Sequence, residues 1–341
     1  MVNPNTRPEA GYLQSKLAQQ FMKVKMEWLR FNRSYDFDLY VYSNEQYVLF
    51  CRKHLTLTPS MAAKVQKKAI IYVDKSDAEH FQAYMEENIT DIIRDTTRPI
   101  AEKSEAVYKV STSLVDELLA APKAACITRV KDLVANQLEF VMANPGAVNS
   151  LMSITEHDYY TYTHSVNVAI YLVGLGEMMK LTRQEIQYLS LGGMLHDLGK
   201  ARISLEIINC TTKLTEAQFE EMKKHPRFGI EVLKSVDPDG QMVPRVCYDA
   251  ILHHHERFNG GGYPFPSMNG KDIPLFGRMT KVCDVFDALT TKRSYKAEMS
   301  SFEALTLMRD KMIEEFDPDV FGEFLRMMAN YSEDMRKRLN L

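Results

Sequence analysis

The sequence predicts a mainly α protein: a small α+β domain at the N-terminus, then an all-α helical bundle. Three observations predict it. Phe37–Tyr42, Tyr47–Cys51 and Ala69–Val73 are rich in aromatic and β-branched residues. From about residue 92 apolar residues recur at helical spacing. A chain of 341 residues exceeds one small domain and suggests two. The boundary is placed at 120, giving 1–120 as the α+β domain plus a connecting helix and 121–341 as the bundle.

The elements follow in order. Phe21–Met26 is an added strand. Phe37–Tyr42 and Tyr47–Cys51 are strands, and Ser43-Asn44-Glu45-Gln46 between them is a hairpin turn. Pro59 opens a short helix through Lys67, since proline is tolerated in a first turn. Ala69–Val73 is another strand, and Asp77 caps a helix through about Asn88. This module has no ligand-spaced cluster, so it is expected to serve sensing, docking or dimerisation. Residues 100–120 are the connecting helix and 126–145 the first helix of the bundle. Thr182-x-x-Glu185 and Thr215-x-x-Gln218 are capping boxes, Pro226 marks a break after His225, and 302–315 and 318–331 carry helical apolar spacing.

Composition excludes several classes. Lys plus Arg number 42 and Asp plus Glu 45, a net charge of −3, so no global basic field attracts a nucleic-acid polymer or an anionic membrane. The five cysteines are scattered with no Cys-x-x-Cys, which suits reduced thiols in a reducing compartment. The first residues lack an apolar signal-peptide core and no run is long enough to span a bilayer, so a cytoplasmic protein is expected.

The chemistry lies in the histidines. Seven of the nine fall between positions 157 and 255. His254-His255-Glu256 runs into Arg257-Phe258-Asn259-Gly260-Gly261-Gly262-Tyr263-Pro264, and His196-Asp197 lies upstream with Lys200 one helical turn on. Imidazole and carboxylate are ligands for divalent metals, and the pattern is that of a polynuclear site assembled from several helices. An adjacent His-Asp pair can serve two metals if the Asp oxygens bridge them; in isolation it reads as a surface salt bridge. Lys200 suits a phosphate oxygen or leaving group. His164, near the start of an apolar helix, would alone read as a core residue, and His225 as a helix-terminal cation. Glu256 is expected to orient a ligand imidazole. His253 and His157 are left over. Asp284 and Asp287 share a helical face, as do Arg293 and Lys296, a pair that would otherwise be a solvated cationic face.

His-Asp-Leu-Gly-Lys (196–200), His-Pro-Arg-Phe-Gly (225–229), the Gly-Tyr-Pro segment (262–264) and Asp284-Val-Phe-Asp287-Ala-Leu-Thr occur in the order of the HD-GYP phosphodiesterases, a branch of the HD-domain metal phosphohydrolases. The chain resembles that family over roughly residues 125 to 332, with Asn259 where the family usually has Asp. The resemblance implies an HD-type helical bundle. It implies His164, His196, Asp197, His225, His254, His255 and Asp284 as metal ligands. It also implies Lys200, Asp287, Arg293, Lys296, Tyr263 and Asp158 as contacts to substrate, with Lys200 and Asp197 in catalysis.

The implied activity is hydrolysis of cyclic di-GMP to linear pGpG, and onward to GMP in some members, by a hydroxide between two divalent metals. The ligand shell suits Fe or Mn, with Ni, Co or Zn as alternatives. Two other readings are a phosphodiesterase for another cyclic dinucleotide, such as cyclic GMP-AMP, and a non-catalytic receptor signalling through the N-terminal domain. Where some members hold a third metal with a glutamate four residues before the first ligand histidine, this chain has Tyr160, so a dinuclear site is expected.

Overall fold

The β-rich runs of the first 75 residues pair with one another, and the helical pattern after residue 92 packs into a separate bundle. A computed structural model describes residues 20–64, 70–155, 163–291 and 299–331. It divides into two units, 1–92 and 93–341.

In the first unit, β1 (Phe21–Lys25) is followed by a two-residue strand β2 (Arg33–Ser34), then β3 (Leu39–Ser43), β4 (Gln46–Cys51) and the short β5 (Thr56–Leu57). A one-turn helix α1 (Pro59–Ala62), β6 (Ile70–Asp74) and the long α2 (Ala78–Arg94) complete it. The main sheet has the order β1-β6-β3-β4, all antiparallel; β2 and β5 form a separate ribbon that the sequence did not signal. Asn44 and Glu45 turn the hairpin at φ 48° and 61°, the left-handed conformation that two-residue hairpins require. Alternation along the strands sends Val24, Leu39, Ile71 and Val73 into the core with Phe81, Met85 and Ile89 of α2. The opposite face carries Phe21, Tyr40, Tyr42, Tyr47 and Tyr72 in mutual ring contact. Asp74, not Asp77, makes the carboxylate turn bond before α2, accepting from Ser76 N–H at 2.9 Å.

The second unit is all helical among its described residues: α3 (Ile100–Ala120), α4 (Ala124–Ala143), α5 (Ala147–Thr155), α6 (His164–Met178), α7 (Arg183–Leu195), α8 (Leu205–Ile208), α9 (Glu216–Met222), α10 (His225–Val236), α11 (Cys247–His253), α12 (Leu275–Thr290), α13 (Ser301–Lys311) and α14 (Pro318–Tyr331). Both sequence-predicted capping boxes form, at Thr182 and Thr215, with a third at Ser300. Helix α6 is buried all round from His164 to Gly176, as its unbroken apolar character requires, and α7 and α12 pack against it. Among the described residues no helix is long and apolar enough to cross a membrane.

The placement of the boundary at 120 differs from this division. Helix α3 packs against α4, α5 and α6, and its Val107, Val110, Leu114, Val115 and Leu118 have no exposed surface. It is part of the bundle, not a connector. Burial of each such side chain contributes about 1.5–3 kcal/mol, so losing all of them rivals the whole stability of a typical domain, about 5–15 kcal/mol. A fragment beginning at residue 121 is therefore expected to lack a cooperative thermal transition, whereas one beginning at 93 shows one; calorimetry of the two fragments checks this.

Candidate metal centre

Helix ends deliver the candidate ligand side chains. His164 opens α6, His196 ends α7, His225 opens α10, and His254 ends α11 with His255 next in sequence; only Asp284 comes from the middle of a helix, α12. The last carbonyls of a helix have no partner within it, and three imidazoles take them. His196 Nδ1 bonds Gly193 O at 2.7 Å. His225 Nδ1 bonds Met222 O, the last residue of α9, at 2.8 Å. His254 Nδ1 bonds Ile251 O at 2.9 Å. A carbonyl only accepts, so Nδ1 carries the proton in each ring and Nε2 presents a lone pair to the centre. His164 Nδ1 is held by the Asp287 carboxylate at 2.6 Å.

These side chains form two groups, His164 with His196 and Asp197, and His225 with His254 and His255, each with its ligand atoms within 4.8 Å of one another. Two carboxylates span the groups. Asp197 Oδ2 lies 3.4 Å from His196 Nε2 and 3.7 Å from His164 Nε2, while its Oδ1 lies 3.4 Å from His225 Nε2. Asp284 Oδ1 is 3.0 Å from His164 Nε2, and its Oδ2 is 4.0 Å from His255 Nδ1.

The donor set fits divalent cations on local grounds. His225 Nε2 and His254 Nε2 are 3.1 Å apart. Both rings carry their proton on Nδ1, so two lone pairs face each other. Burial, partly offset by Asp197, pushes His225 down to about 4, and burial, together with the neighbouring His196 and His225 imidazoles, holds His254 well below the imidazole range. A proton is therefore a poor bridge, and a metal ion is a good one. His196 Nε2 and Asp197 Oδ1 are buried with no hydrogen-bond partner, atoms that would be costly to leave unpaired. Burial opposes charge on Asp197, but Lys200 and His196 hold its carboxyl well below the usual range. His164 behaves oppositely: burial lowers it, yet hydrogen bonds to Asp284 and Asp287 raise it to about 9, marking a point where positive charge is favoured.

Several expected contacts are placed differently. Asp287, expected at the substrate, is buried and faces protein: besides His164 it accepts from Asn167 Nδ2 at 2.9 Å and Thr291 Oγ1 at 3.1 Å. It orients a ligand. Glu256, expected to orient an imidazole, instead accepts Phe265 N–H at 2.7 Å and so ties down the Gly-Tyr-Pro loop. Gly262 sits where a Cβ would meet Arg257 N at 2.5 Å and His255 O at 2.7 Å, which folds the loop onto the ligand backbone and stacks Tyr263 on His255 at 4.5 Å. Asn259 is exposed in the turn before it. His253 packs against Phe265. Lys200 contacts Asp197 with its side chain about a third exposed. Asp158, His157, Glu156, Tyr160, Arg293 and Lys296 lie outside the described residues.

Sequence reasoning missed Asn167 and Lys281. Asn167 is three residues past His164 on α6, and Lys281 is three before Asp284 on α12; that spacing was the available signal. Lys281 is buried, 3.7 Å from Glu315. Burial, against the pull of Asp284 and Glu315, lowers its pKa.

With this geometry in view, comparison with known proteins is direct. The HD-domain family description matches residues 129–320. The chain belongs to the HD-domain family. Its motif order resembles that of the HD-GYP branch. It is 36% identical over 200 residues to a cyclic di-GMP phosphodiesterase of Pseudomonas aeruginosa, covering 59% of this chain and 47% of that one. It is also 36% identical over 136 residues to a 3'3'-cGAMP-specific phosphodiesterase of Vibrio cholerae, covering 40% of this chain and 25% of that one. The chain thus spans half or less of these relatives' lengths. The solved structure of a HDG"Y"P protein from Bdellovibrio bacteriovorus matches with TM-score 0.64 at 20% identity, covering 91% of this chain and 99% of that one, a likeness of fold.

Gly199, the glycine of His-Asp-Leu-Gly-Lys, is required by a close backbone approach. A Cβ on Gly199 would lie 1.9 Å from His225 O and 2.4 Å from Gly229 N. Backbone must move to admit it. Gly199→Ala is expected to cost at least the roughly 1–3 kcal/mol of ordinary overpacking and to weaken metal uptake, since the strand of contact it breaks joins Asp197 to His225. Urea denaturation together with elemental analysis checks both.

Proposed function

We propose that this chain is a metal-dependent phosphodiesterase that hydrolyses cyclic di-GMP to linear pGpG. The observation that carries the reading is the pair of imidazole groups joined by two carboxylates, Asp197 and Asp284, each presenting one oxygen to either group. Such a donor set supports two divalent ions, Fe or Mn before Ni, Co or Zn, because nitrogen-rich shells disfavour Mg. Bound there, the ions would supply an acidified water and neutralise phosphate charge.

The chain's own residues supply the rest. His164, His196, His225, His254 and His255 are the neutral ligands and Asp197 and Asp284 the charge. Lys200, cationic and partly open to solvent beside Asp197, suits a substrate phosphate oxygen or the departing oxygen. Tyr263, packed on His255, offers an aromatic edge at the mouth of the site. Arg293 and Lys296 are proposed on sequence grounds as further phosphate contacts, and Asp158 as a contact to water or substrate. A dinuclear centre makes pGpG the main product, with little onward cleavage to GMP.

A second cyclic dinucleotide is a real competitor, because the cGAMP-specific relative is as similar as the cyclic di-GMP one over the shorter stretch that aligns. The N-terminal unit is proposed as a sensing or docking module. The purified protein, supplied with Mn²⁺, is to be offered cyclic di-GMP and 3'3'-cGAMP side by side and the products separated by chromatography. Cyclic di-GMP turning over faster, to pGpG, is expected. Tight binding of either without turnover makes the chain a receptor, and faster loss of 3'3'-cGAMP reassigns the substrate. In the same assay Asp197→Ala is expected to abolish both metal content and hydrolysis; full retention of both refutes the site.

Arg293→Ala and Lys296→Ala are expected to raise KM about tenfold each, the loss of one charge-assisted phosphate contact, with metal content unchanged. Steady-state kinetics with elemental analysis separates this from a solvent-facing pair, which would change neither.

A further inference from the structure

A buried hydrogen-bonded chain runs from α3 to the metal centre. Tyr108 Oη lies 2.8 Å from Asn167 Oδ1. Asn167 Nδ2 donates to Asp287 Oδ1 at 2.9 Å, and Asp287 Oδ2 holds His164 Nδ1 at 2.6 Å. Tyr108, Asn167 and Asp287 are at most 4% exposed. We propose that Tyr108 is a positioning residue for the metal centre, fixing the His164 ligand through Asn167 and Asp287.

The chain has only one consistent direction. A carboxylate accepts, so Asn167 must turn its NH₂ toward Asp287 and its carbonyl oxygen toward Tyr108. That oxygen also only accepts, so the phenol must donate. Each link therefore sets the next, and His164 is left with Nδ1 protonated and Nε2 aimed at Asp197 and Asp284. Removing the phenolic hydroxyl leaves the Asn167 oxygen facing Tyr108 without that donor in a site with no exposed surface, a cost large enough to reorient the amide. Asp287 then loses a donor and His164 its fixed angle. Three imidazoles are held by backbone carbonyls, which no substitution removes; His164 Nδ1 is held by a side chain, Asp287, so this kind of change reaches it.

The inference rests on the metal-binding reading proposed above, and its test reads metal, not turnover. Chelator-stripped wild-type, Tyr108→Phe, Asn167→Ala and Ser111→Ala proteins are titrated with Mn²⁺ by electron paramagnetic resonance, and their Co²⁺ forms are compared by visible absorption. Ser111 lies on α3, equally buried, and bonds only along its own helix, to Val107 O at 2.7 Å; it controls for general loosening. Tyr108→Phe is expected to weaken Mn²⁺ binding about tenfold and Asn167→Ala roughly a hundredfold, the range found for outer partners of ligand histidines. Both should shift the Co²⁺ ligand-field bands, and Ser111→Ala should do neither. Wild-type affinity and an unchanged spectrum in Tyr108→Phe or in Asn167→Ala overturn the proposal. So does Ser111→Ala weakening Mn²⁺ as much as Tyr108→Phe at equal loss of thermal stability. A wild-type protein that takes up neither ion sinks the metal reading itself, and this inference with it.

Discussion

The site depends on carbonyl oxygens that helices cannot satisfy for themselves. Each α-helix ends with unpaired acceptors, and α7, α9 and α11 end beside one another. His196, His225 and His254 donate to those acceptors. The same bond that completes a helix end fixes the tautomer and aims the other nitrogen inward. Ligand geometry is thus a by-product of helix termination, and the bundle needs only to bring the ends together.

The close approach is achieved by backbone contact. Gly199 lies against the first residue of α10, and Gly262 against the residues that follow α11. Both glycines sit where another element fills the space of a side chain. The Gly-Tyr-Pro loop is held by Glu256 on Phe265 N–H and by Tyr263 stacked on His255. Asn259, out in the preceding turn, lies apart from this clamp.

Much of this was legible in the chain. The strand–helix division, the capping boxes and the gathering of His164, His196, Asp197, His225, His254, His255 and Asp284 follow from local pattern and motif order. What escaped was long-range. Asp287 and Glu256 have the chemistry expected of them but different partners, because sequence spacing shows which face a residue occupies and not what lies opposite. The need for glycine at position 199 was hidden because the approach of α10 is invisible from residues 196–200. Helix α3 looked like a connector because its buried face, from Val107 to Leu118, is defined only by helices that come later. The β2–β5 ribbon has two residues in each strand, too few to leave a periodic signal.

The anchoring of imidazoles on backbone carbonyls also separates folding from loading. The rings are held by bonds that exist once the helices exist, so an ion meets a site already arranged and need not organise it. Its contribution to stability is then a mass-action term set by free ion concentration and dissociation constant, about 2.7 kcal/mol at a hundredfold excess over Kd. In small zinc domains, by contrast, the metal creates the fold. Here the supply of a divalent metal would shift the stability of the bundle without deciding whether it folds at all.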